Sequence, residues 1–456
     1  MFRKKGSIRM IEQELARFAQ ETSFENLPKE VIKQAKVCLL DLVGAACAGA
    51  TALPGHVVTE IIEEAGGATQ AVLIGRKEKV PALNAALGNG LYAHALELDD
   101  LHRSSILRPG SPIIPAALAA AEKVGASGKD LITAIVVGYE VGIRIAEAMT
   151  PTHYNYWHTT GTCGTFAAAI AAGKVMGLNE EQLIHALGHA GTQAAGLMEL
   201  HYSPEGMMSK PLHASKAAQN GLFSAMLAAG GYTSTKTILS GEKGFLRVFA
   251  PKAKMEKIVE SLGTEFKIMQ ISFRLYASTR HTHAAIDLGL RLREKGLKPE
   301  DIELLRIQTY SVARDLVGEP FPETIYEAKF SLPFCVSTAL VYGHVGINDF
   351  TEERLHDPVL EELMSHCTVE IDPLLDAHYP QKWAAKLNVI LRNGTVDHEQ
   401  TDFPKGDPEN KVTLEDLRKK FRRLSAKLLP ASKIEAWLES ISKVETFDDI
   451  ADMWRI

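Results

Sequence analysis

Several things are scarce in this chain of 456 residues. Cysteine occurs only at Cys38, Cys47, Cys163, Cys335 and Cys367, an odd set with no C-x-x-C pair. That excludes a disulfide-stapled scaffold and fits reduced thiols in a cytoplasmic protein. Positive charge is not in excess: 50 Lys and Arg stand against 56 Asp and Glu, so the basic footprint of a nucleic-acid binder is missing. Long apolar runs are missing too. VCLLDLVGAACAGA and the stretch from Ile132 to Ile145 are too short for a bilayer or broken by glycine and charge, so no membrane span is expected. The opening MFRKKGSIRM leads into a Glu-containing amphipathic helix without the apolar core and cleavage site of a secretion signal. Also absent are G-x-x-x-x-G-K-[ST], G-x-S-x-G, H-E-x-x-H and a strand-to-helix G-x-G-x-x-G. Phosphate cradles and serine-hydrolase elbows lose their support with them.

What is present is Ala, Gly and Leu at helical spacing. With 46% hydrophobic and 23% charged residues the composition is that of a globular protein long enough for two or three domains. The spacing predicts helices over Pro28 to Ala50, Val80 to Glu97, Pro112 to Val124, Lys129 to Ala148, Thr160 to Met176 and Lys216 to Gly230. Another starts at the capping box Asn179 to Gln182 and carries Leu183, Leu187, Ala190 and Ala194 on one stripe. Only Ala71 to Ile74 reads as extended among them. Beyond Phe266 strand-like runs appear: IELLRIQTYSV, CTVEID and WAAKLNVILRNGTVDHEQTDF, the last a hairpin with a primed turn at Asn393-Gly394. Helices are expected between them at His283 to Lys295 and Ala328 to Tyr342, and again from Leu414 to Leu438. The expected architecture is therefore mainly α. A large all-α domain (1–265) is followed by a smaller α+β domain (266–405), inserted before C-terminal helices (406–456) that return to the first domain.

Four clusters carry the chemistry. HALELDDLHRSSILRPGSP holds His94, Glu97, Asp99, Asp100, His102, Arg103 and Arg108, and carboxylates crowded against imidazole can hold a proton near neutral pH. A solvated helix end with ion pairs is the plain alternative, but apolar segments flank it on both sides. In YNYWHTTGTCGTF, His158 precedes a helix start, where N–H groups and the helix dipole favour an anion; a core His bonded to backbone is the competing reading. MMSKPLHASK sets Lys210 just before a helix, suited to clamp a carboxylate. ISFRLYASTRHTHAAID carries Arg274, Arg280, His281 and His283, a basic patch rather than a metal site because no spacing supplies a third ligand. Together these cations, imidazoles and carboxylates suit a di- or tricarboxylate substrate. Cys163 reads as a buried small residue, since no base stands at a decisive spacing.

At these same residues the sequence resembles the MmgE/PrpD superfamily, which includes 2-methylcitrate dehydratase, cis-aconitate decarboxylase and iminodisuccinate epimerase. LELDDLH, RPG, PAALAAAE, GYEVGIRI, YWHTTGTCGTFAAAIAAGKVMGL, SKPLHASKAAQNG, RHTHAAID and EAKFSLPF follow in the family's order over nearly the whole chain. The resemblance implies a large all-α domain, a smaller α+β lid, a homodimer and a site between the domains without metal or cofactor. It places His158 and Lys210 on the family's active-site His and Lys, with Asp99, Asp100 and His102 in its acidic segment. This sequence has Arg108 where the decarboxylase branch has His, Glu97 for Asp, Arg274 for Lys, Thr279 for His and Phe334 for Tyr. Those differences delete two imidazoles and a phenol while keeping carboxylate-binding character. The resulting expectation is a lyase that removes a proton α to a carboxylate and dehydrates a 2-hydroxy di- or tricarboxylate. An epimerase, or a non-catalytic carboxylate-binding relative, is the alternative. His158, Lys210, Asp99, Asp100 and His102 are the expected catalytic set, and Arg108, Arg274, Arg280, His283 and Glu97 the expected substrate contacts.

Overall fold

Small side chains decide how the helices meet. The computed structural model describes residues 10–202 and 204–455. The opening nine residues, part of the secretion-signal reading, lie outside them. Helices α1 (Ile11–Glu21), α2 (Lys29–Gly49), α3 (Leu53–Ala65), α4 (Ala82–His94), α5 (Gly110–Val124), α6 (Gly128–Met149), α7 (Thr159–Val175), α8 (Glu180–Gly191) and α9 (Pro211–Ala229) surround one apolar core. Alanine and glycine let their backbones approach closely. A Cβ placed on Gly221 of α9 would lie 2.4 Å from Ala168 Cβ and 2.7 Å from Ala169 N of α7. Ser127 caps α6 and Asn179 caps α8, each accepting from the backbone N–H three residues on. Because α8 ends at Gly191, Ala194 lies past the helix and packs on the core from outside it. Helix α9 starts earlier than the spacing suggests, since Pro211 suits a first helical turn. The extended Ala71–Val72 (β1) pairs antiparallel with Lys79–Val80 (β2).

Leu101–His102 (β3) pairs with Ile271–Ser272 (β4), and from there the chain enters a second layer of structure. A four-stranded sheet runs in the order β6-β5-β7-β8, from Ile302–Thr309 (β5), Cys367–Ile371 (β6), Ala385–Leu391 (β7) and Val396–Thr401 (β8). β5 and β6 are parallel, and the other pairs are antiparallel. Helices α10 (Arg280–Glu294) and α11 (Leu332–Tyr342) cover it, with Ala284, Leu288, Val336 and Leu340 packed against Leu305, Ile307, Leu387 and Val389. A separate buried cluster, Ala45, Ala48, Leu98 and Leu424 with Tyr276, Ile286 and Phe334, joins this layer to the helical core.

Two expectations need correction here. The hairpin turn is not primed: only Gly394 has positive φ (84°), and Asn393 instead accepts from Thr395 N–H at 2.9 Å. A glycine in the left-handed region after an ordinary turn satisfies the register equally well. The helix expected from Ala328 to Tyr342 is broken, because Ser331 caps a new helix with Pro333 in its first turn. Lys329 and Phe330 lie in the break. Pro430 similarly divides the C-terminal segment into α12 (Leu414–Ser425) and α13 (Ala431–Ser442). Leu417, Phe421, Trp437 and Leu438 of these helices belong to the same core as α1 to α9. The fold is mainly α, 59% helical with small sheets. Among the described residues no single helix is long and apolar enough to cross a membrane.

Candidate active site

Three helix N-termini and one helix C-terminus meet where the two layers touch. Pro109 precedes α5, His158 is the residue before α7, Lys210 is the residue before α9, and α4 ends at His94. The starts of α5 and α7 are tied by Arg108 N–H donating to Thr160 Oγ1 at 3.2 Å. Those of α7 and α9 touch through His158 Nδ1 and His213 Nδ1, 3.1 Å apart. Unpaired N–H groups at such ends favour anions and disfavour protonated imidazoles.

Glu97 is the electrostatic centre. Its carboxylate accepts from Lys210 Nζ at 2.5 Å and Arg274 Nη1 at 2.5 Å, with Arg108 Nη2 at 3.9 Å. Burial alone raises its pKa, but Lys210, Arg274 and Arg108 outweigh that and hold it well below the usual carboxylate range. Glu97 also has a left-handed backbone, φ 58°, a costly conformation for a long side chain, so the three cations hold strained chain in place. Asp99 is likewise held low against burial by His94 and Arg274. It accepts from Ser111 Oγ at 2.5 Å, from Arg274 Nη2, and from His94 Nδ1 at 2.7 Å.

The imidazoles here are neutral. Burial lowers His94, and burial together with His213 and Lys210 takes His158 well below its ordinary value. His213, half-buried, is pushed down to about 4 by burial and then by His94 and Lys210. The His94 and His158 rings stack with centroids 5.8 Å apart, and the Nε2 atoms of both are buried without a hydrogen-bond partner among the described residues. Lys210 is lowered to about 8, burial and neighbouring Arg108 and Arg274 working against Glu97. Two buried nitrogens of Arg108, Nε and Nη1, have no hydrogen-bond partner among the described residues. From the break before α11 comes Lys329, 6% exposed, its ammonium 5.3 Å from the Tyr326 ring and 5.9 Å from that of Phe350. Burial lowers it to about 8 while Glu97 pulls the other way. Phe330 beside it lies 5.7 Å from Lys210 Nζ.

Of the residues expected from sequence, this geometry brings together His158, Lys210, Glu97, Asp99, Arg108 and Arg274. It does not bring Asp100, His102, Arg280 or His283 to them. Asp100 accepts from Tyr139 OH at 2.6 Å and from Gly110 N–H at 2.9 Å, capping α5, and burial pushes it up to about 7. His102 reaches Ser105 and Gln270, pinning the β3–β4 junction, and burial takes it to about 4. Arg280 grips Asp407 at 2.5 Å and Phe273 O at 3.2 Å, and His283 is held between Arg280 and Ser278 O. These four are tied into the joints of the fold, and the imidazole in contact with Asp99 is His94 rather than His102. Because α10 is a helix, His281 and His283 point apart, His281 stacking on Trp383. Cys163 is buried and its thiol pushed up to about 12. Among the described residues no group of three or more His, Cys, Asp or Glu is arranged to hold a metal.

The comparisons with known proteins bear on the whole of this arrangement. Residues 13–258 match the MmgE/PrpD N-terminal domain and residues 276–446 the MmgE/PrpD C-terminal domain. The chain belongs to the MmgE/PrpD family. Relatives within the family include a cis-aconitate decarboxylase-like protein of Aspergillus oryzae, 28% identical across 96% of this chain and 95% of its own length. The cis-aconitate decarboxylase of Mus musculus is 26% identical across 94% of this chain and 90% of its own length. The mitochondrial 2-methylcitrate dehydratase of Yarrowia lipolytica is 22% identical across 89% and 82%. The family's members among these relatives are lyases, and both family domains contribute to the cluster: Arg108, His158 and Lys210 lie within the first match and Lys329 within the second. Arg274 stands in the short stretch between the two.

Proposed function

We propose that this chain is a lyase that removes a proton α to a carboxylate and eliminates water from a 2-hydroxy di- or tricarboxylate. The observation that carries this reading is the buried meeting of two neutral imidazoles, each with a bare Nε2, and the cations Arg108, Lys210 and Lys329. Among the described residues Arg108 has two nitrogens without hydrogen-bond partners and Lys329 pairs with no carboxylate, so both are suited to substrate carboxylates. Lys210, fixed on Glu97, supplies positive charge where an enediolate develops; charge placed in advance in a dry site needs no reorganisation as the reaction proceeds. His158 Nδ1 and His213 Nδ1 share one hydrogen over 3.1 Å; with His213 as its donor, His158 carries hydrogen on Nε2 and is placed to protonate the departing hydroxyl. The relatives named as a dehydratase and as decarboxylases support the lyase class and differ over which bond breaks.

Proton NMR of the protein in D₂O with hydroxy-, amino- and unsaturated di- and tricarboxylates tests this. Deuterium at the α carbon with a new vinyl signal is the expected result. Deuterium with only a diastereomer appearing replaces the reading with an epimerase, which the pair of bare imidazoles favours as the second reading. Loss of carbon dioxide replaces it with a decarboxylase. Silence across the panel, with ligand-dependent thermal stabilisation, leaves a non-catalytic binder. A homodimer belongs to the same proposal, supported by Leu53, Val57 and Ile61, which expose one apolar stripe along α3; sedimentation of the free protein tests it.

A further inference from the structure

We infer that the base in this site is His94, oriented by Asp99, and that His158 takes the opposite, acidic role. The inference rests on the reading just proposed and assigns its protons.

Asp99 is ionised and accepts only, so the contact at 2.7 Å fixes the His94 proton on Nδ1. Nε2 of His94 then carries a lone pair. That atom is buried, has no partner among the described residues, and belongs to a ring 0% exposed and stacked at 5.8 Å on His158. A neutral imidazole whose far nitrogen is held by a carboxylate is the arrangement that abstracts a proton and stabilises the imidazolium formed. Asp99 does not turn away from this task, because Ser111 Oγ and both Arg274 nitrogens, Nε on its carbonyl and Nη2 on its carboxylate, fix the residue from three sides. The second imidazole differs. His158 has no carboxylate on Nδ1, only the neutral His213, and the two Nδ1 atoms share one hydrogen. An elimination needs an acid opposite His94, so that hydrogen is assigned to His213, which leaves His158 with Nε2–H.

The elimination then balances. The C–H bond α to the carboxylate breaks as His94 Nε2 gains the proton. Its electron pair moves into the carboxylate as an enediolate beside Lys210, and collapse of the enediolate forms the new C=C bond as the neighbouring C–O bond breaks. The oxygen leaves as water with the proton from His158 Nε2 while the hydrogen shared with His213 passes to His158 Nδ1, so that His158 stays neutral. Half-buried His213 is then reprotonated by solvent, and His94 returns its proton to solvent.

The test uses wild-type protein, His94→Gln and Asp99→Asn, each checked by circular dichroism and thermal melting. Readouts are α-deuterium exchange, kcat and KM on the polycarboxylate that wild type turns over. Expected for His94→Gln is a loss of exchange and kcat by about 10²- to 10⁴-fold with KM nearly unchanged. Partial recovery by added imidazole in His94→Ala is expected as well. Asp99→Asn presents a donor to Nδ1, moves the proton to Nε2 and loses exchange in the same way. His158→Gln is expected to lose water release more than α-exchange. Exchange within threefold of wild type in folded His94→Gln overturns the inference while leaving the proposed function intact. An inactive wild type across the whole panel overturns the proposed function itself.

Discussion

Lys210 and Glu97 show how much of the site depends on single charges. Lys210 holds a proton up to about pH 8 because Glu97 offsets burial and two nearby guanidiniums. Below that pH the ammonium is charged, as the proposed binding of a substrate carboxylate requires; above it the charge is lost, so KM is expected to rise on the alkaline side of about pH 8. Glu97→Gln removes the group that raises the Lys210 pKa and leaves those that lower it. Its KM–pH profile is therefore expected to bend at lower pH than that of wild type. A bend that stays in place would show that Lys210 does not face the substrate. At this scale the sequence was legible in part. His158, Lys210 and Arg108 stand beside Pro or a helix start, a signal readable in one dimension. His94 and Lys329 carry no such mark, and the former gains meaning only because the strained turn at Glu97 folds Asp99 back onto it. Asp100 and His102 looked equivalent to Asp99 because adjacency in sequence does not say which way each carboxylate or ring turns.

Among the elements, the meeting of α7 and α9 sets the positions of His158 and Lys210 at once. Gly221 lies at the crossing, and replacing it with alanine puts a methyl within 2.4 Å of Ala168 Cβ. Alanine gains about 1 kcal/mol of helix propensity, but overpacking costs about 1–3 kcal/mol, so Gly221→Ala is expected to lower the urea midpoint. Activity is expected to fall with it, since both N-termini move. An unchanged midpoint would mean that the two helices can part without loss. Helices were readable because their apolar period is long and their caps are explicit, as at Asn179. The break at Ser331 was not, because the apolar pattern of Ala328 to Tyr342 runs through it while the cap and Pro333 restart the helix.

For the whole molecule, the C-terminal helices complete both the core and the site. Lys420 of α12 is buried and donates at 2.7 Å to Asp41 of α2 and at 2.7 Å to Leu98 O, the carbonyl next to Glu97. Lys420→Met leaves Asp41 buried without its cation, a loss of about 3–5 kcal/mol near neutral pH. Burial raises the pKa of Asp41, with Lys420 opposing it, so without Lys420 it rises further and the carboxyl takes up a proton as pH falls. The destabilisation, measured by urea unfolding, is expected to shrink towards pH 5; a loss independent of pH would place the effect in packing instead. The helices after the PKGDPENKV segment were readable from their apolar pattern, whereas the grip of Lys420 on the loop of Glu97 was not, since that pairing spans most of the chain.

That arrangement also has a consequence in time. The face of α2 that receives Phe421, where Gly44 would bring a Cβ within 3.1 Å of the Phe421 ring, is made early and covered last. At about 5–20 residues per second of synthesis, the wait is on the order of tens of seconds. Throughout it the growing chain carries an open apolar seam with all of its acid–base side chains already made, and a ribosome that stops before Leu414 releases a sticky intermediate rather than a smaller enzyme.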